Sequence, residues 1–144
     1  MTASSSQYGT DALDPTYGLY TGSGDDNIRY WGQGWVYSGA GNDTVSAGVE
    51  GLGVLALIDG GAGNDDLTIG FYGGKALGGA GNDRISVRMG VYETGTAEMI
   101  GGAGHDTFVF DRWADRGQLL IGDFTLNGPD SDTLVLGSPG DKSG

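Results

Sequence analysis

Apolar residues return along this chain in three sets of five. Leu19, Val36, Ile58, Ala76 and Met99 each stand two residues ahead of a short glycine-rich phrase. Ile28, Val45, Leu67, Ile85 and Phe108 stand eighth from the start of that phrase, and Tyr30, Ala47, Ile69, Val87 and Phe110 stand tenth. At the ninth place lie Arg29, Ser46, Thr68, Ser86 and Val109, mostly polar. Apolar, polar, apolar is the period of a strand with one buried face. When the chain is cut into coils at the phrase, each set becomes a column. The predicted core is therefore a ladder of like residues, one rung per coil. Parallel strands lie ~4.8 Å apart, so five coils make a slab on the order of 20 Å tall.

The phrase reads Thr21-Gly-Ser-Gly-Asp-Asp26, Ser38-Gly-Ala-Gly-Asn-Asp43, Gly60-Gly-Ala-Gly-Asn-Asp65, Gly78-Gly-Ala-Gly-Asn-Asp83 and Gly101-Gly-Ala-Gly-His-Asp106. Its starts lie 17, 22, 18 and 23 residues apart. One coil is thus about two nonapeptides long. The turns that carry the phrase have fixed geometry, so the surplus of the longer coils belongs on the opposite edge, over 48–53 and 90–96. That edge is expected to hold Trp31 to Trp35, Glu50 to Gly53, Phe71 to Gly74 and Tyr92 to Gly95 as irregular loops. Its aromatic residues, with Tyr37, either fill the widened edge or form a ligand patch of Trp31, Trp35, Tyr37, Phe71, Tyr72 and Tyr92.

The five phrases follow Gly-Gly-x-Gly-x-Asp-x-apolar-x, and in this they resemble the calcium-binding repeats of RTX (hemolysin-type) proteins. The segment from Ile121-Gly-Asp-Phe124 to Leu136 resembles the closing segment that follows the last repeat in that family, as in serralysin-like proteases and alginate epimerase R-modules. The resemblance implies an all-β, right-handed parallel β-roll of about five coils with one calcium edge and a C-terminal β cap. Residues 1–16 are expected to form an N-terminal tail or cap, 17–110 the roll, and 111–144 the cap with a type I secretion segment.

Calcium takes six to eight oxygens at irregular geometry, and glycine lets successive carbonyls face one way. The resemblance assigns the carboxylates to Asp26, Asp43, Asp65, Asp83 and Asp106. It assigns the carbonyls to Thr21, Gly22, Ser23, Gly24 and Asp25; to Ser38, Gly39, Ala40, Gly41 and Asn42; to Gly60, Gly61, Ala62, Gly63 and Asn64; to Gly78, Gly79, Ala80, Gly81 and Asn82; and to Gly101, Gly102, Ala103, Gly104 and His105. Five stacked turns leave four gaps, hence about four Ca2+ ions. Asp25 adjoins Asp26, so either carboxylate could serve the first turn. Asp123, Asp130 and Asp132 are read as solvated rather than as a further ion site.

Composition narrows the function. Glycine supplies 31 of 144 residues without a collagen period, so it marks turns and not a fibre. Acidic residues number 19 against 7 basic ones, for a net charge of −12, which disfavours nucleic acid. Four divalent ions would bring this to about −4 and relieve the self-repulsion. Without them, so glycine-rich and acidic a chain does not bury enough to offset its entropy, so folding and calcium binding are expected to be one event. No cysteine is present, which excludes disulfides and thiolate metal sites. No stretch is long and apolar enough for a membrane helix. The N-terminus carries no signal-peptide pattern, so Sec export is not expected, and the resemblance implies type I export.

No Lys-Ser/Thr follows any glycine turn, which argues against a phosphate cradle, and no EF-hand loop is present. HExxH, G-x-S-x-G and a cysteine nucleophile are missing, and the lone His105 is expected to be solvated. The reading is a non-catalytic secreted calcium-binding module serving extracellular folding, secretion and surface or matrix assembly, with calcium, itself, a surface polysaccharide or the secretion apparatus as partners. The alternatives are a detached R-module of a secreted enzyme and an ice- or glycan-binding roll.

Overall fold

The computed structural model describes residues 6–8, 19–30, 34–49, 56–71, 73–89, 96–111 and 118–136. Trp31, Tyr72 and Tyr92, and the surplus segments 50–53 and 90–95, lie outside these residues.

The described chain is all β. One sheet holds β1 (Ser6–Tyr8), β3 (Asn27–Tyr30), β5 (Thr44–Val49), β7 (Asp66–Phe71), β9 (Arg84–Met89), β11 (Thr107–Asp111) and β13 (Thr133–Leu136), in that order. The second sheet holds β2 (Leu19–Tyr20), β4 (Gly34–Tyr37), β6 (Ala56–Ala62), β8 (Gly73–Ala80), β10 (Thr96–Ala103) and β12 (Gln118–Ile121), also in chain order. All pairings are parallel, and each strand pairs with the strand two further along the chain. The chain thus winds from one sheet to the other and back, coil upon coil, as a parallel β-roll.

The register aligns the columns as expected. Leu19, Val36, Ile58, Ala76 and Met99 are cross-strand partners in turn, and Ile121 follows Met99. Ile28, Val45, Leu67, Ile85 and Phe108 run up the opposite sheet, with Tyr30, Ala47, Ile69, Val87 and Phe110 two residues along. All but Phe110 and Ile121 are buried, and these two are partly buried and pack against the same core. A slip of one residue would turn every such rung to solvent, so the columns hold the register.

Three features refine the expectation. Ser6–Tyr8, within the expected N-terminal tail or cap, forms β1 and pairs with β3 at the end of its sheet. Trp35, placed in an irregular loop, lies within β4 together with Tyr37, and Phe71 and Gly74 also lie within strands. Strands need not stop where aromatic or glycine residues occur if the neighbouring coil supplies a ladder. Lastly, the C-terminal β segment consists of β12 and β13, which extend both sheets by one more strand each although no glycine phrase lies between them.

Candidate metal centre

The glycine phrases all fall on one edge of the roll, where the chain crosses from the even-numbered sheet to the odd-numbered one. Their first three residues belong to the strands in three coils: Gly60 to Ala62 end β6, Gly78 to Ala80 end β8, and Gly101 to Ala103 end β10. The second and fourth positions have positive φ, for example +95° at Gly61 and +141° at Gly63. Glycine is required there twice over. A Cβ on Gly61 would run into the Gly39 carbonyl oxygen, and one on Gly63 into that of Gly41. The coils therefore stack as closely as backbone allows.

The five aspartates form a buried column within this stack. Asp26, Asp43, Asp65, Asp83 and Asp106 are each no more than 3% exposed. One oxygen of each later rung accepts from the amide of the rung before. The Asp26 amide donates to Asp43 Oδ1 at 2.8 Å, Asp43 to Asp65 at 2.8 Å, Asp65 to Asp83 at 2.9 Å and Asp83 to Asp106 at 3.0 Å. The second oxygen is the unusual one. Oδ2 of Asp43, Asp65, Asp83 and Asp106 is buried and has no hydrogen-bond partner among the described residues. A buried acceptor without a donor costs ~1–3 kcal/mol, and more when charged. Ser38 offers a hydroxyl nearby, but its single proton goes to the Gly60 carbonyl at 3.0 Å.

In the three later coils Oδ2 faces the first glycine of its own phrase. A Cβ on Gly60, Gly78 or Gly101 would collide with Oδ2 of Asp65, Asp83 or Asp106 respectively. Burial accordingly raises the carboxyl pKa values. Asp83 is pushed up to about 7 and Asp65 to about 6, mainly by desolvation, with the neighbouring rungs adding repulsion. Asp43 and Asp106 move the same way for the same first cause.

A cation with oxygen ligands fits this donor set. Buried acceptors without donors, a column of like charges and close backbone carbonyls all favour a hard positive ion. Among the described residues no group of three or more His, Cys, Asp or Glu side chains converges. Most ligand oxygens would thus come from the main chain. Several of these carbonyls already accept one amide: Gly39 from Ala62 at 2.8 Å, Ala62 from Gly41 at 2.9 Å and Ala80 from Gly63 at 2.8 Å. Each keeps a second lone pair. The Gly60 carbonyl differs, since it accepts from both the Gly39 amide and the Ser38 hydroxyl.

No protein-family model matches the chain, no curated protein matches it, and no solved structure matches it. The functional reading therefore rests on the chain's own geometry.

A second ladder, which the sequence reading left to the backbone, runs along the exposed rim. Asp25 Oδ1 accepts from the Asn42 amide, Asn42 Oδ1 from Asn64, Asn64 Oδ1 from Asn82, and Asn82 Oδ1 from His105, at 2.8–2.9 Å. This divides the roles of the first turn: Asp26 belongs to the buried column and Asp25 to the rim. His105 is exposed as expected, with its ring Nδ1 at 2.7 Å from the Ser131 carbonyl.

Asp123 and Asp132 are not simply solvated. The Asp123 carboxylate accepts from the Gly101 and Gly102 amides at 2.9 and 2.8 Å. Asp132 Oδ1 accepts from the Asp106 amide at 3.0 Å, as a sixth rung, while its Oδ2 takes the Thr125 amide at 2.7 Å. The last turn leaves amides open that a further coil would have bonded, and these two side chains answer them. Asp130 is exposed.

Of the proposed ligand patch, Trp35 and Tyr37 lie on the second sheet's outer face. Tyr37 stacks on Tyr20 at 4.9 Å and meets Trp35 edge-on at 6.4 Å. The Phe71 backbone ends β7.

Proposed function

We propose that this chain is a non-catalytic calcium-binding module of the RTX type, exported by type I secretion and folded by the ions it meets outside the cell. One observation carries the reading: a column of buried aspartates, four of them with a buried oxygen that no donor among the described residues reaches. An ion between successive turns would satisfy those oxygens and cancel the repulsion along the column. With five turns there are four such gaps, so about four Ca2+ ions are expected. The chain bears −12 charges before any ion binds, and the cost of gathering the ladder aspartates falls on the folded state. Folding then waits for calcium. Low cytosolic calcium keeps the chain export-competent, and higher calcium outside sets the roll, which serves surface or matrix assembly.

The test is far-UV circular dichroism during a calcium titration, with the bound ions counted by elemental analysis of the folded protein. The expected outcome is β-structure that appears with calcium, disappears with chelator and saturates near four ions. Full β-structure in chelator at pH 8, or a folded roll containing no calcium, would refute the proposal.

A further inference from the structure

The last coil carries a surface that calcium does not explain. Seven large hydrophobic residues are exposed among the described residues, and five of them (Leu120, Leu126, Leu134, Val135 and Leu136) belong to that coil. Leu134 and Leu136 occupy the same columns as Phe108 and Phe110, yet they are 44% and 67% exposed. Their strand, β13, is the last of its sheet, so one row of its amides and carbonyls has no strand beyond it among the described residues. Edge strands in soluble proteins are usually blunted by charge, proline or a bulge. Thr133-Leu-Val-Leu136 has neither charge nor proline.

The opposite end of the same sheet does not complement it. There β1 is the edge, and its register sets Gln7 in the column of Ile28. Head-to-tail stacking would set the polar position 7 in the same column as Leu134. Tail-to-tail pairing fits better. If two β13 strands run antiparallel about Val135, Leu134 of one copy stands opposite Leu136 of the other, apolar against apolar on the inner side. Charge favours the same geometry. Asp132 directly precedes β13, and antiparallel strands keep the two acidic edges at opposite ends of the pair, whereas parallel ones would align them.

We propose that β13 is a self-association edge through which two copies of the folded roll pair tail to tail, antiparallel across Thr133–Leu136. A four-residue strand offers less than the ~800 Å² per partner of a standard interface, so the dimer should form with concentration and not be obligate.

The chain has no cysteine, which permits a direct test. Opposed Cα atoms in an antiparallel pair lie about 4.5–5.5 Å apart, within the 4.4–6.8 Å a disulfide spans. Under mild oxidation Val135→Cys should give a covalent dimer in high yield, and Tyr20→Cys, at the other end of the roll, should not. In sedimentation, mass should rise with concentration to two chains and stop. Leu136→Lys should weaken association at least tenfold while leaving the circular dichroism spectrum and ion count unchanged. A single-chain mass at every concentration, equal cross-linking at Tyr20→Cys, or growth beyond two chains would overturn the proposal. The experiment needs only a folded roll by circular dichroism, so it stands apart from the calcium reading.

Discussion

Asp83→Asn separates charge from hydrogen bonding in the buried column. The substitution keeps an Oδ1 that can accept from the Asp65 amide, 2.9 Å away, and leaves the Asp83 amide bonded to Asp106. It removes the negative charge and turns the unpartnered Oδ2 into an amide nitrogen. In the metal-free roll the wild-type carboxyl titrates at about 7 instead of 3.8. Each unit of pKa corresponds to ~1.4 kcal/mol, so the charge costs at most ~4 kcal/mol at pH 8. Screening from the exposed rim just outside it reduces this to on the order of 2 kcal/mol. Because the folded-state value lies above the unfolded one, metal-free stability is full below pH 3.8 and falls as the pH rises through about 6 to 7. Asp83→Asn should therefore stabilise the chelated protein at pH 8 by about 2 kcal/mol and do little at pH 4. In saturating calcium the sign reverses. Losing a carboxylate should weaken binding at least tenfold in each of two adjoining gaps, a loss of ~3 kcal/mol in all. Urea or osmolyte titrations followed by circular dichroism, with chelator and with calcium, measure both values. A shift of the same sign under both conditions would refute the coupling between the column and a cation.

Two glycines at the second position of the phrase make a controlled pair. Gly22 and Gly61 both have positive φ, but a Cβ meets nothing within 4 Å at Gly22 and the Gly39 carbonyl at Gly61. Thermal melts should show Gly22→Ala costing ~1 kcal/mol and Gly61→Ala ~3 kcal/mol or more. Asn64→Ala removes one exposed rim bond, to the Asn82 amide, and should cost ~0.5–1.5 kcal/mol without changing the number of ions found by elemental analysis. Leu67→Ala hollows a fully buried rung, and denaturant unfolding in calcium should show a loss of ~2–5 kcal/mol.

The columns were legible because the phrase supplies a ruler. Counting from it placed Val36 beside Ile58 and Leu67 beside Ile85 despite coils of unequal length, and the buried aspartates followed by the same count. What escaped had no such ruler. Asp132 follows no glycine turn, so nothing local marks it as the rung after Asp106. Asn42, Asn64 and Asn82 entered the sequence reading only as carbonyl ligands, because their side-chain bonding depends on how closely the next coil approaches, a distance no single coil contains. Trp35 looked like a loop residue beside glycines, yet the Leu57 backbone next to it extends the ladder into β4.

The bonds of both ladders join residues 17 to 23 positions apart up to the last phrase. Each finished turn is thus a template for the one beside it and for nothing farther off. Growth can then proceed like a zip from whichever turn closes first, and a single defective tooth should halt it there, leaving a half-wound protein with one sound end and one loose one.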